Sequence, residues 1–261
     1  HVTARELILK ATDLEISLQA NIAIVTDMTE PASFLISGRR IFELVKELDG
    51  TIQFTLSDSS LQLTSGSVDL ALNIRDAQEF PPFPERIENF LNVNANFFLR
   101  LLNKIAFVIP QNNTNSALNG MLLELNKGGI ALVGTDGHSL ARITSSKIAL
   151  EDEKKLLLPK RAVLELKKLL ETHPERDIFI GTCNSQLVFS GENFNFFTKL
   201  IADAFPQYRS VLDKEGFVPA RLSRDPFVKT LKRTSCLLAG TFVSTQFSFA
   251  PQTLKVSINN K

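Results

Sequence analysis

The residues of this chain that could do chemistry are few. His138 follows Asp136 by two positions, and a carboxylate beside an imidazole is the arrangement that orients a general acid or base. Residues two apart on a strand also share a face, so the same spacing makes a plain surface pair. No Ser or Cys nucleophile elbow and no metal-ligand cluster accompanies it, and structural or binding use is therefore expected. His173, in Glu-Thr-His-Pro, reads as a solvated helix end. Cys183, beside a hairpin turn, and Cys236, at an apolar helix end, read as packing residues. No Gly-rich phosphate loop occurs, so neither a nucleotide cofactor nor a metal is expected, and the chain reads as a binding protein rather than an enzyme.

Charge offers a different chemistry. The net charge is only +1, but its distribution is uneven. Four stretches with helical patterning, 38–48, 95–107, 160–171 and 226–234, hold Arg39, Arg40, Lys46, Arg100, Lys104, Lys160, Arg161, Lys167, Lys168, Lys229, Lys232 and Arg233. That is 12 of 29 basic residues against four of 28 acidic ones, where an even spread would place about five of each. Lys and Arg are good helix formers on any solvated face. Their recurrence in equivalent helices points instead to a basic surface made to meet phosphates, with affinity that falls steeply with salt. Few Asn or Gln accompany them for bidentate base contacts, and the aromatics sit on apolar stripes, so the surface holds duplex without reading sequence.

The elements that carry these residues repeat. Leu9-Lys-Ala-Thr-Asp-Leu-Glu returns 123 residues later as Leu132-Val-Gly-Thr-Asp-Gly-His. Arg39-x-x-Phe42-Glu43-Leu44-x-Lys46 matches Arg161 with Leu164-Glu165-Leu166-x-Lys168. Ala77-x-x-Phe80-Pro81-x-Phe83 matches Ala202-x-x-Phe205-Pro206-x-Tyr208. A third copy begins where Phe227-x-Lys229-x-Leu231-x-Arg233 matches Phe98-x-Arg100-x-Leu102-x-Lys104, and Leu254-x-Val256 matches Ile130-x-Leu132. A period this long makes each copy domain-sized, so each is expected to bury its own core. The boundaries are read as 1–92, 93–217 and 218–261, with linkers near 84–93 and 209–223. The middle copy is the complete one; the chain opens in mid-copy without a starting Met, as a fragment would.

Within a copy the patterning is α+β. Thr51–Leu56 and Ser60–Leu63 alternate at period two around Ser57-Asp58-Ser59, and Asp177–Gly181 and Gln186–Phe189 do so around Asn184-Ser185, as antiparallel hairpins should. Phe98, Leu101, Leu102 and Ile105 form a helical stripe, and Val163, Leu166, Leu169 and Leu170 form another behind Pro159. Helices on one side of antiparallel sheets are expected. At 261 residues, 44% hydrophobic and 22% charged, the composition is that of a globular multi-domain protein without a membrane-length apolar run. Two cysteines in different copies argue against a disulfide framework and suit a reducing cytoplasm.

Four motifs now carry a resemblance. Leu118-Asn-Gly-Met-Leu-Leu-Glu124, Gly134-Thr-Asp-Gly-His-Ser-Leu-Ala141, Leu158-Pro-Lys-Arg161 and Phe205-Pro-Gln-Tyr208, in this order and spacing, resemble the middle domain of the bacterial sliding clamp family, the beta subunit of DNA polymerase III. The resemblance implies tandem copies of one domain in a head-to-tail homodimeric ring around duplex DNA, acting as a processivity factor with no bond made or broken. It also implies a groove for short motifs of polymerases, clamp loader and repair proteins, at Leu118, Thr135, Gly137, His138, Leu140, Pro206 and Val211. Duplex contact is further implied at the turn holding Gln111 and Asn112. The sequence departs from the family pattern at Ser139 and Ser210, where many relatives carry Arg, and at Ser116 and Ala117, where the family often has Tyr. A clamp-fold interaction module that does not close a ring is the alternative expectation.

Overall fold

The structure is a computed structural model that describes residues 1–84, 86–172, 176–213, 216, 218–237 and 243–260. It divides into two compact units, 1–207 and 208–261. In chain order the first unit carries β1 (Glu6–Thr12), β2 (Ile16–Ala23), the short β3 (Phe34–Leu35), α1 (Gly38–Lys46), β4 (Gln53–Leu56), β5 (Ser60–Ser65), β6 (Val68–Asn73) and the short β7 (Arg75–Asp76). There follow β8 (Glu88–Asn94), α2 (Ala95–Asn103), β9 (Gly120–Asn126), β10 (Gly129–Thr135), β11 (Leu140–Ser145), β12 (Lys154–Pro159), α3 (Lys160–Glu171), β13 (Asp177–Cys183), β14 (Gln186–Ser190) and β15 (Phe194–Lys199).

The second copy has one core, enclosed by two helices and two sheets. In α2 the 3.6-residue period brings Phe98, Leu101 and Leu102 to one side, and Ile105 follows in the next turn; all four are buried. Val163, Leu166 and Leu170 do the same in α3, which packs against α2. Asn94 starts α2 by accepting the Phe97 N–H on its side-chain oxygen at 3.1 Å. Pro159, with a fixed φ that suits a helix entry, precedes α3. Met121, Leu123, Ile130, Leu132 and Leu158 reach the core from the sheet ordered β11-β10-β9-β12. Val93, Ile180, Leu187, Phe189 and Phe196 reach it from the other sheet, and the rings of Phe98 and Phe189 lie 5.8 Å apart. Fully burying each such side chain is worth about 1.5–3 kcal/mol, so this cluster dominates the stability of the unit.

The first copy is joined to the second through a shared sheet. Its strand β2 hydrogen-bonds to β15 of the second copy, with Leu18 opposite Phe196 and Ser17 opposite Phe197. The result is a six-stranded antiparallel sheet in the order β1-β2-β15-β14-β13-β8. Ile16 and Leu18 pack onto the second copy's core. The rest of the first copy is thinner: β4, β5 and β6 form a meander that buries Leu61 and Leu63, while α1 buries none of its residues and leaves Phe42 68% exposed. The stretch 84–93, expected as a linker, is mostly strand, because Glu88–Asn94 finds backbone partners on β13.

The second unit holds α4 (Arg209–Leu212), α5 (Arg224–Ser235) and the hairpin of β16 (Val243–Ala250) with β17 (Thr253–Asn260). The ring of Phe227 on α5 meets Phe247 at 6.4 Å. The linker expected at 209–223 therefore contains a helical turn, while Lys214, Glu215 and Phe217, and with them the expected boundary at 217, lie outside the described residues, as does His173. Among the described residues no helix is long and apolar enough to cross a membrane.

Candidate functional site

Asp136 and His138 do not sit two apart on a strand. Both lie in the turn from β10 to β11, because Asp and Gly are turn formers: Asp136 folds back on its own backbone, and Gly137 takes φ 92°. The N–H groups of His138 and Ser139 donate to Asp136 Oδ1 at 2.8 and 2.6 Å, and Thr135 Oγ1 donates to Ser139 O at 2.7 Å. The Ser139 N–H, and then the His138 N–H, hold the Asp136 carboxyl below its ordinary range. The carboxylate is thus engaged in building a turn rather than orienting an imidazole for proton transfer. Cys183 ends β13 and is buried; Cys236 follows α5 and is exposed. Among the described residues no three His, Cys, Asp or Glu side chains come together as a metal would require.

Around this turn five of the expected groove residues converge. Thr135 is the strand partner of Leu140, and a Cβ on Gly137 would lie 3.8 Å from Leu118 Cδ1. Leu118 and Thr135 are buried, Leu140 is half-buried, and Gly137 and His138 are exposed. The chain carrying exposed Pro206 passes nearby: Ile201 N–H donates to Leu157 O at 2.9 Å, and Ser116 Oγ hydrogen-bonds Asp203. Val211, 53% exposed, stands on α4 in the second unit.

The basic residues occupy the helices expected of them. Arg100 and Lys104 lie on the outer side of α2, one turn apart, opposite the buried stripe. On α3, Arg161 and Lys168 are exposed and Lys160 and Lys167 half-buried. Arg39, Arg40 and Lys46 are exposed on α1, as are Lys229, Lys232 and Arg233 on α5. Gln111 and Asn112 are exposed in the loop after α2, which is pinned where Asn119 Oδ1 accepts the Asn113 N–H at 2.7 Å.

These cations are not equivalent. Arg39 pairs with Glu43 at 2.9 Å and Lys168 with Glu165 at 2.9 Å, each within its own helix. Arg161 reaches across the copies to Asp13, Nη2 to Oδ2, at 2.5 Å, and nearby Lys199 meets Glu15 at 3.3 Å. Burial pushes the Asp13 carboxyl up, but the N–H groups of Ile16 and Glu15 and the Arg161 guanidinium outweigh it and hold it below the ordinary range. Among the described residues Arg40, Lys46, Arg100, Lys104, Lys160 and Lys167 make no ion pair. Sequence reasoning missed the pair between Asp13 and Arg161. The signal that could have found it is the repeated Thr-Asp element, since a turn that recurs in both copies takes one conformation and uses only one carboxylate oxygen in each.

Comparison with known proteins agrees with this geometry. Residues 92–207 match the family model of the DNA polymerase III beta subunit, central domain, and residues 1–84 match that of its N-terminal domain. The chain is 30% identical to the beta sliding clamp of Buchnera aphidicola over 98% of its own length and 70% of the relative's. It is 28% identical to that of Pseudomonas putida over 99% of its length and 71% of the relative's. Among solved structures, that of the Helicobacter pylori beta clamp bound to a DNA ligase peptide superimposes with a TM-score of 0.81 at 27% identity, covering 99% of this chain and 74% of that one. A putative DNA polymerase III beta subunit from Eubacterium rectale shares the fold at a TM-score of 0.86 and 19% identity, over 98% and 70% of the two chains. The chain belongs to the beta sliding clamp family, the beta subunit of DNA polymerase III.

Proposed function

We infer that this chain is a DNA polymerase processivity factor: a ring-forming clamp that encircles duplex DNA without regard to sequence and tethers polymerase and other replication and repair proteins to it. It acts by topology and weak phosphate contact, and turns over no substrate. The observation that carries this reading is the packed pair α2–α3, whose outer positions present Arg100, Lys104, Lys160 and Lys167 without ion-pair partners among the described residues. Lysines and arginines left free in this way are available to phosphates, and their contacts slide as readily as they form. Three copies at 1–92, 93–217 and 218–261, closing head to tail as a homodimer in the cytoplasm, give the ring its symmetry. The groove around Leu118, Gly137, His138 and Leu140, with Pro206, takes apolar anchors of short linear motifs from polymerase, clamp loader and repair proteins. The solved complex of the H. pylori clamp with a ligase peptide supports such a use.

Sedimentation with nicked circular and linearised DNA, in the presence of a clamp loader, tests the reading. Retention on the circle that is lost on linearisation is expected. A persistent monomer at micromolar concentration, retained by neither, overturns it in favour of an interaction module that closes no ring.

A further inference from the structure

One arginine position is neutralised in both copies, by carboxylates that are not equivalent. Arg39 is the second residue of α1 and Arg161 the second of α3, and each is followed four residues later by a glutamate, Glu43 or Glu165. On α1 the arginine pairs with that glutamate, Arg39 Nε to Glu43 Oε1 at 2.9 Å. On α3 it does not: Glu165 takes Lys168 at 2.9 Å, and Arg161 pairs with Asp13 of the other copy at 2.5 Å. Lys160 and Lys167 on the same helix, and Arg100 and Lys104 on the helix packed against it, make no ion pair among the described residues. Asp13 is fixed for its task, because its Oδ1 accepts the N–H groups of Glu15 and Ile16 at 3.0 and 2.8 Å while Oδ2 meets the guanidinium. The Arg161 side chain is otherwise well exposed, on the side of α3 opposite the buried Val163 and Leu166.

We propose that Asp13 masks Arg161 from duplex DNA, so that a loop of the first copy sets how many cations the second copy presents to phosphates. Asp13 is in this sense a positioning residue that acts through Arg161. The inference rests on the duplex-holding reading given above and concerns the strength of the hold. A carboxylate oriented in advance by two backbone N–H groups meets a guanidinium with little reorganisation. A phosphate that took its place would exchange one anion for another and release no counterion of its own, so the pair adds nothing to the salt-dependent part of the affinity. The masked arginine leaves fewer contacts to break at each step along the duplex.

The test is binding of a fluorescein-labelled duplex to the 261-residue chain, followed by anisotropy across a salt series. Asp13→Asn is the main variant, because its side-chain oxygen still accepts the two turn hydrogen bonds while the charge is lost. Its logarithmic salt slope is expected to steepen by up to about 0.9, so that the loss of affinity between about 50 and 200 mM salt grows about three- to fourfold. Asp13→Asn with Arg161→Gln should return to the native slope. Glu15→Gln makes the same change of charge in the same turn but releases Lys199, which ends β15 and lies on neither helix, and should leave the slope unchanged. An unchanged slope in Asp13→Asn, a gain that survives in the double variant, or an equal gain in Glu15→Gln overturns the inference while leaving the duplex-holding reading intact. A native chain without salt-dependent duplex binding overturns that reading and this inference with it.

Discussion

The guanidinium of Arg161, at the start of α3, lies 2.5 Å from the carboxylate of Asp13 in the turn between β1 and β2, so a side chain of the second copy closes on a loop of the first. Because both partners are partly solvated, the pair contributes about 0.2–1 kcal/mol by the usual measure of exposed ion pairs. Arg161→Gln and Asp13→Asn should each lower stability slightly, and the double variant should show a coupling of that size in urea unfolding. Independent, fully additive effects would mean that the contact does not persist in solution.

The same pair has a pH signature. The folded Asp13 carboxyl titrates below its ordinary range, so its contribution is fully present above the unfolded-chain value of about 3.9 and is lost as pH falls through the lower folded value. The difference in thermal midpoint between the native chain and Asp13→Asn should therefore be constant near neutrality and close in acid. A difference that widens on acidification would mean that the folded carboxyl titrates above its ordinary range instead.

Arg161 should also behave unlike its neighbours toward DNA. Replacing Arg100 and Lys104 together by Gln is expected to reduce the salt dependence of duplex binding by up to about two phosphate contacts, each worth roughly 0.9 in the logarithmic slope. Arg161→Gln should leave the slope nearly unchanged, since its charge is already answered by Asp13. Slopes measured by anisotropy across a salt series decide between the two outcomes.

Core and periphery of the first unit should differ sharply. Phe98 is fully buried, and Phe98→Ala should cost about 3–5 kcal/mol. Phe42→Ala, at a side chain 68% exposed, should stay within about 0.5 kcal/mol. Gly134→Ala should cost about 1–3 kcal/mol, because the new methyl would stand 2.9 Å from Val108 Cγ1 and 3.0 Å from Ile105 Cγ2. Denaturant midpoints of the three variants provide the comparison.

Leu14 holds a positive φ where the second copy places Gly137, and its side chain is 61% exposed. Replacing it by Gly removes about 1 kcal/mol or more of backbone strain at little loss of packing. Leu14→Gly should accordingly be neutral or stabilising by up to about 1 kcal/mol in urea melts, a rare sign for a Leu→Gly change. A loss above that magnitude would show that the Leu14 side chain does more than its exposure indicates.

What could be read from residues alone was local. The stripes Phe98-Leu101-Leu102-Ile105 and Val163-Leu166-Leu169-Leu170 announced α2 and α3, with Leu169 only partly buried, and the period-two runs announced the hairpins, because both patterns are written within a dozen neighbouring positions. The junction of β2 with β15 was invisible, since backbone pairing between segments far apart in sequence leaves no local periodicity. Asp136 and His138 were misplaced for a different reason. The spacing of two was read as a pair sharing a strand face, while the Thr-Asp-Gly chemistry of Thr135 to Gly137 already specified a turn and should have taken precedence. The groove residues around that turn could be named only through the family resemblance, because each alone is an ordinary apolar or polar position.

The pairing of β2 with β15 makes the seam between the two copies a ladder of backbone hydrogen bonds instead of a hinge. A ladder resists shear along its strands, because sliding by a single position would break every rung at once and swing Leu18 from the inner to the outer face. Such a slip would also carry the Asp13 turn about 3.4 Å away from Arg161. The first and second copies must then move together as one stiff piece.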